Sequence, residues 1–299
     1  MEFNPPDPKL ISGAFPELTS LNFMEQGGFK AVYRVGVAGK EEIFKLVCLP
    51  KEGSTDEEKA YRKESLGRIQ REISLLGQCK SFEIVKLGSI PPRTVTIEGV
   101  EYIGYSEEFL DGPNLWDVLR ARGPKPDEKE AKQLLLCLLI AIRELWTFKA
   151  IHRDIKPQNM IKLNSQERPF VLLDLGIAYS LADPGLTRDP MIIPMTGRYF
   201  APEMLKADFR QNLDFRSDLY TAALTVFEYS AQIHPLAKTR DDLIRTISRA
   251  VNQAPRLLKS DRPDFSDEFC DLIDKLLKKI PALRPSNLSA LIREIGGQI

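Results

Sequence analysis

Residues 152 to 159 read His-Arg-Asp-Ile-Lys-Pro-Gln-Asn, which sets a base, a cation and an amide oxygen within one short loop. Phosphoryl transfer calls for those groups. Asp154 would accept the proton of a substrate hydroxyl, Lys156 would neutralise charge on the phosphoryl group in flight, and Asn159 would hold a magnesium ion. Fifteen residues beyond Asn159 comes Asp174, in Asp174-Leu175-Gly176 after the apolar run Phe170–Leu173, as a second candidate magnesium ligand. Ala201-Pro202-Glu203 follows. Taken singly, Asp-Leu-Gly is also a common turn whose Gly supplies a positive φ, and Ala-Pro-Glu is also a plain helix start. The loop motif is more specific, because His, Arg, Asp, Lys and Asn seldom stand at fixed offsets by chance.

The elements that must position these groups can be read from periodicity. Residues 18–24, 31–37 and 42–48 carry β-branched and aromatic residues between Gly-containing turns, which predicts three antiparallel strands. Ser54-Thr55-Asp56-Glu57-Glu58 offers caps and first-turn acids for a helix with Leu66, Ile69, Ile73 and Leu76 at helical spacing. Two more strands are expected near 84–97 and 100–109. From Asp127 to Ala150 a broad stripe of Leu134, Leu135, Leu138, Leu139, Ile142 and Leu145 predicts a buried central helix. The Gly and Pro of Phe109-Leu110-Asp111-Gly112-Pro113 punctuate a seam.

A chain of 299 residues exceeds the usual single core and suggests two lobes. Lys+Arg and Asp+Glu are both 42, so there is no nucleic-acid or membrane footprint in the net charge. Four scattered cysteines, Cys48, Cys79, Cys137 and Cys270, form no Cys-x-x-Cys pair, which argues against a zinc site or a disulfide framework. The acidic, Pro-rich start Met1–Pro6 is not a signal peptide, and the longest apolar run, Leu134–Ile142, is too short to span a bilayer. A cytoplasmic location is expected.

In order and spacing, the loop motif, Asp174-Leu175-Gly176 and Ala201-Pro202-Glu203 resemble those of the eukaryotic-type protein serine/threonine kinases, over roughly residues 18–296. The resemblance implies an α+β fold of two lobes, with ATP and Mg2+ as cofactors and a protein Ser/Thr residue as substrate. A small antiparallel β lobe with one helix would span 18–108 and a larger, mainly helical lobe 109–299, with 1–17 as an N-terminal extension. The family's Gly-rich turn maps to residues 25–32, where only Gly27 of its three glycines remains, beside an extra Gly28, and Glu25 and Lys30 stand for the first and third; an ordinary Gly-Gly hairpin is the alternative. Lys45 matches the strand lysine that contacts phosphates, and Glu72 its helical partner. Glu108 and Leu110 would offer backbone groups to adenine, with Val32 and Ile43 above the base and Ile161 below.

That alignment puts Glu107 at the rear of the adenine pocket, where an acid is unusual and calls for a polar partner or a register shifted by one. Asp218 resembles the family's buried aspartate that fastens the catalytic loop, with a plain N-cap as the alternative, and Arg284 the arginine that pairs with Glu203. Lys156 and Thr196 point to the serine/threonine class. Arg153 beside Asp154 suggests an activation segment that is phosphorylated, with Thr187 the leading autophosphorylation candidate because Ile192 stands where the family often has a hydroxyl. Two other functions stay open: a pseudokinase scaffold that binds nucleotide weakly, motivated by Glu25 and Lys30, and a small-molecule kinase of similar fold.

Overall fold

The computed structural model describes residues 3–51, 55–175, 179–180, 198–205, 213–238 and 241–296. They fall into two units, residues 1–79 with 85–111 and residues 80–84 with 112–299. The smaller unit is built on an antiparallel sheet of β1 (Leu18–Gly27), β2 (Lys30–Val37), β3 (Lys40–Cys48), β4 (Arg93–Ile97) and β5 (Val100–Glu108), in spatial order β1-β2-β3-β5-β4. Its long helix is α2 (Asp56–Gln78); a short helix, α1 (Pro8–Ala14), lies in the stretch expected as an extension.

Successive side chains of a strand point to opposite faces, and here both faces are covered. Phe44 and Leu46 of β3 and Tyr102 of β5 pack with Ile11 and Phe15 of the α1 segment. Val47, Ile103 and Tyr105 pack instead with Leu66, Ile69 and Ile73, the stripe expected of α2. A capping box starts that helix: the Thr55 hydroxyl accepts from the Glu58 amide at 3.2 Å and the Glu58 carboxylate accepts from the Thr55 amide at 3.1 Å. Alternation therefore puts Lys45, Tyr105 and Glu107 on the α2 face. Gly104 lies on the other face, under the Phe15 ring; a Cβ there would sit 2.3 Å from Phe15 Cζ and 2.8 Å from Phe44 Cζ.

The strand expected near 84–97 is confined to Arg93–Ile97. Pro91 and Pro92 have no amide to donate to a ladder, so the preceding segment makes only single bridges, Ile84 with Leu172 and Leu87 with Glu107. Backbone bonds to β5, from Gly88 N to Ser106 O at 2.7 Å and from Ser106 N to Ile90 O at 3.1 Å, hold it together with side chains. Glu42, 5% exposed, accepts from the Ser89 amide at 2.9 Å and from the Ser106 hydroxyl at 2.5 Å, while Ser106 Oγ accepts from the Ile90 amide at 2.9 Å. Residues 80–84 belong to the larger unit, where Glu144 accepts from the amides of Lys80 (2.5 Å) and Ser81 (2.9 Å), and Arg168 Nε donates to Phe82 O at 2.5 Å.

The larger unit is mainly helical. It contains α3 (Leu115–Ala121), α4 (Glu128–Thr147), α5 (Phe215–Ala231), α6 (Leu243–Asn252), α7 (Leu258–Asp261), α8 (Asp267–Leu276) and α9 (Leu288–Glu294), with two strand pairs, β6 (Ala150–Ile151) with β9 (Tyr179–Ser180) and β7 (Met160–Lys162) with β8 (Phe170–Leu172). Asp127 caps α4, and the six apolar residues expected to face inward are all fully buried. Every residue of α5 except Arg216 is buried, which makes it the central helix of the unit. Among the described residues no helix is long and apolar enough to cross a membrane.

Just after α5, His234 is buried with its ring edge-on to Tyr199 at 5.4 Å. Its Nδ1 accepts from the amides of Leu236 (3.1 Å) and Ala237 (2.9 Å), which leaves Nε2–H to donate to Arg198 O at 3.2 Å. Burial, aided by the Arg198 charge, pulls its pKa down to about 3. Between that value and the ordinary histidine value near ~6.5, the unfolded chain binds a proton that the folded chain refuses. Stability should consequently fall as pH drops through this window, by up to about 1.4 kcal/mol per pH unit from this group. Urea midpoints measured from pH 7.5 to 5 should show a shallower slope in His234→Asn, whose side chain can keep the Nδ1 acceptor position. Gly104→Ala should lower the unfolding free energy by roughly 1–3 kcal/mol through overpacking against Phe15, read from the same denaturation curves at neutral pH.

Candidate active site

The loop of residues 152–159 leaves β6, passes through a 3-10 turn at Pro157–Asn159 and enters β7. Its start is held from α5. Asp218, 1% exposed, accepts from the His152 amide at 2.7 Å and the Arg153 amide at 2.9 Å. The helix cap itself is Asp214, whose side chain accepts from the Arg216 amide at 2.8 Å, so Asp218 is not a capping residue. Burial pushes the Asp218 carboxyl up in pKa, while His152, Arg153 and the two amides pull it back down. With the loop so fixed, Arg153 takes a left-handed φ of 71°, a conformation uncommon outside glycine and stable only where neighbours impose it.

Beyond the anchor, three predicted residues meet around one carboxylate. Asp154 Oδ2 accepts from Lys156 Nζ at 2.6 Å and from Asn159 Nδ2 at 3.0 Å, and Asn159 Nδ2 also donates to Asp154 O at 2.9 Å. The Asp154 and Lys156 side chains keep 15% and 12% of their surface exposed, so the group is wet enough to meet a substrate. Asp174 joins through the backbone of its neighbour. The Leu173 amide donates to Asn159 O at 2.8 Å, and His152 Nε2 donates to Leu173 O at 3.1 Å while its Nδ1 accepts from the Asp154 amide at 3.2 Å. Asp174 itself has φ 57°, a second left-handed non-glycine residue of this segment. Since the amide nitrogen of Asn159 is committed to Asp154, its oxygen is the atom left to face a cation. An amide oxygen and a carboxylate are hard donors of the kind magnesium takes when phosphates complete its shell, so Asn159 and Asp174 fit the expected ion.

In the smaller unit, Lys45 and Glu72 are each 6% exposed, with Lys45 Nζ 3.5 Å from Glu72 Oε1. Closer still is Glu107, at 2.5 Å from Nζ. The acid that looked out of place thus has a polar partner, and the partner is the predicted phosphate lysine. Tyr105, also unforeseen, donates from its hydroxyl to Glu72 Oε1 at 3.0 Å. Sheet alternation was the missing signal: 103, 105 and 107 share the face of 45 and 47 once Lys45 is set opposite Tyr105. Gly27, the last residue of β1, pairs with Lys30, and Gly28, at φ 55°, forms with Phe29 the exposed two-residue turn between them. Val32 is buried and Ile43 half-buried in the smaller unit; Ile161 is half-buried on β7 of the larger one. The Glu108 amide donates to Lys86 O at 2.9 Å, because the 84–92 segment runs beside the end of β5; Leu110 lies half-buried beyond that strand.

Glu203 lies in a 3-10 turn, Pro202–Leu205, not at an α-helix start. Arg284, 3% exposed, grips it with two bonds of 2.6 and 2.9 Å, and Ser217 Oγ adds a third at 2.8 Å. Arg284 also donates to the carbonyls of Lys278 and Arg216, so the whole guanidinium is used for support. Thr187, Ile192 and Thr196 lie outside the described residues. The same is true of Gly176.

A family model described as the protein kinase domain matches residues 19–294. Serine/threonine-protein kinase cst-1 of Caenorhabditis briggsae is 30% identical over 270 residues, covering 83% of this chain and 50% of that one. Serine/threonine-protein kinase pkn3 of Myxococcus xanthus is 27% identical over 282 residues, covering 90% of this chain and 48% of the relative. The chain spans about half the length of these curated relatives. Among solved structures, Rad53 in complex with AMP-PNP superposes with a TM-score of 0.68 at 20% identity, covering 94% of this chain and 65% of that one. The PknI kinase domain of Mycobacterium tuberculosis gives 0.60 at 18%, covering 94% and 96%. The chain belongs to the protein kinase domain family, and its two units carry that family's fold.

If the Asp218 carboxylate is what holds the loop, Asp218→Asn should cost roughly 1–3 kcal/mol of stability, since one of two buried backbone donors then faces an NH2 group. Asp154→Asn, at the wet end of the same loop, should cost less than half as much. Guanidinium denaturation of both variants checks the ordering.

Proposed function

We propose that this chain is a magnesium-dependent protein serine/threonine kinase that moves the γ-phosphoryl group of ATP to a Ser or Thr hydroxyl of a protein. The carrying observation is the shared carboxylate of Asp154, held by Lys156 and Asn159 in a loop fastened to α5. Bound ATP and magnesium would supply the transferable phosphoryl group and the charge that stabilises its departure. Asp154 would accept the hydroxyl proton as the new P–O bond forms and the bond from the γ-phosphorus to the bridging oxygen breaks, releasing ADP. Lys156 sits beside it to balance charge on the phosphoryl oxygens, while Asn159 and Asp174 would hold the metal. Lys45, buried between Glu72 and Glu107, would bind the α- and β-phosphates.

The protein-substrate class rests on Lys156 and on the buried support of Ala201-Pro202-Glu203, which a small-molecule kinase would not need. Autophosphorylation at Thr187 belongs to the same reading. A cytoplasmic setting agrees with four cysteines that are all free thiols. A nucleotide-weak scaffold is the second reading, favoured by one observation: the carboxylate nearest to Lys45 is Glu107, which competes with any phosphate for the ammonium.

Purified protein given radiolabelled ATP, magnesium and a generic basic protein should transfer label to serine and threonine, and chelation should stop it. Asp174→Ala should lower turnover by about 100-fold or more, on the scale of losing a main charge-stabilising group, with its melting temperature within a few degrees of the parent. Retained turnover in Asp174→Ala, or no label transfer beside a normal nucleotide-induced thermal shift, would count against the kinase reading; an absent shift would point to the scaffold.

A further inference from the structure

Lys45 is one ammonium between two buried carboxylates, and the nearer of them is not the expected one. Glu107 lies 2.5 Å from Nζ and Glu72 3.5 Å, with all three side chains at 7% exposure or less. Glu72 has a second donor in the Tyr105 hydroxyl at 3.0 Å. Three consecutive residues at the end of β5 are pinned around Glu107. On one side Ser106 donates to Glu42 and accepts from Ile90, and on the other the Glu108 carboxylate accepts from the Lys86 amide at 2.9 Å. In register, Glu107 stands opposite Ile43 and so diagonally from Lys45 on the same face, a separation that two long side chains can bridge. The backbone therefore carries the Glu107 carboxylate to Lys45 with little freedom to withdraw.

We propose that Glu107 is a positioning residue for Lys45, which holds the ammonium in the nucleotide-free protein and sets the affinity for ATP. This rests on the kinase reading. An incoming polyphosphate must draw Nζ away from a short, desolvated ion pair and must also meet the negative charge of Glu107 close to its own. Removal of that charge at constant shape frees Lys45 for Glu72 and for phosphate. Glu107 is thereby a brake on nucleotide affinity, and Glu72, already 3.5 Å from Nζ, becomes the closer partner of Lys45 once the phosphate has displaced Glu107.

The test compares the parent with Glu107→Gln, Glu107→Asp and Glu72→Gln, reading the dissociation constant of magnesium-ATP by calorimetry and KM against kcat for substrate phosphorylation. Glu107→Gln should bind ATP about tenfold more tightly and lower KM for ATP to match, with kcat changed less than twofold. Glu107→Asp, which keeps the charge on a side chain one methylene shorter, should fall between Gln and the parent. Glu72→Gln should leave the dissociation constant within twofold and act on kcat. Unchanged or weaker ATP binding in both Glu107 variants, or an equal rise in affinity for Glu72→Gln, would overturn the proposal. Should Glu107→Gln fail to fold, the Asp variant decides by itself, with tighter binding in support and unaltered binding against. A parent that binds ATP but phosphorylates nothing would sink the kinase reading, and the calorimetric comparison would still judge Glu107.

Discussion

The larger unit depends on one buried carboxylate. Asp218 projects from the central helix α5, where hardly any water reaches, and a carboxylate in such a place is tolerable only if hydrogen bonds replace its hydration. The replacement comes from two adjacent backbone amides, His152 and Arg153. Two bonds to neighbouring amides fix the peptide plane between them as well as its position, which a single bond would not. From that plane the chain is forced into the left-handed turn at Arg153, and the turn aims Asp154 at Lys156 and Asn159. His152 then passes the constraint on: one ring nitrogen accepts from Asp154 and the other donates to Leu173, the residue before Asp174. A rigid helix thus orients Asp154, Asn159 and the residue before Asp174 through bonds that each involve backbone, and backbone does not change rotamer.

The smaller unit solves a related problem differently. Lys45 is placed by the period-two alternation of β3, which gives it a face but no anchor, and it acquires one from side chains on two other elements. Such an arrangement is softer, because the ammonium can shift between acids without any movement of the strand. Tyr105 makes the choice lopsided by occupying Glu72. The backbone around Glu107, by contrast, is tied at both of its neighbours, through Glu42 at Ser106 and the Lys86 segment at Glu108. The stiffer acid holds the lysine more closely.

Much of this was legible in the sequence, for identifiable reasons. The α4 stripe, the capping box of α2 and the three leading strands follow from local period and local hydrogen bonding, which need no knowledge of distant partners. The eight-residue loop was readable because its chemistry is contiguous. What was not readable depends on contacts across the chain. The long strand expected near 84–97 failed because Pro91-Pro92 and a buried Glu42, more than 40 residues away, decide how that segment is held. That the Glu108 amide is taken up by Lys86 O is likewise invisible to a local reading, because the two meet only across the sheet edge. Helix α1 was passed over because its amphipathic signal is only two residues, Ile11 and Phe15, and its reason to exist is a bare spot at Gly104 on a strand about ninety residues on.

Glu107 shows how a residue that breaks local expectation can be resolved by geometry. An acid on a strand face that otherwise carries Ile103 and Tyr105 contradicts the binary pattern, and such contradictions in folded proteins concentrate where function has overridden packing. A surface role is excluded by its 3% exposure, and a purely structural ion pair would not need a second acid, since Glu72 already stands within reach of Lys45. One ammonium shared by two buried carboxylates leaves negative charge uncompensated within that trio, a costly arrangement in a low-dielectric setting. Replacement of Glu107 by an apolar residue would relieve that cost and leave Lys45 with its helical partner. That the more expensive arrangement is built beside two side-chain-tied residues of β5 argues that the charge on Glu107 has a use, and the cation it meets at 2.5 Å is the lysine through which phosphate would bind.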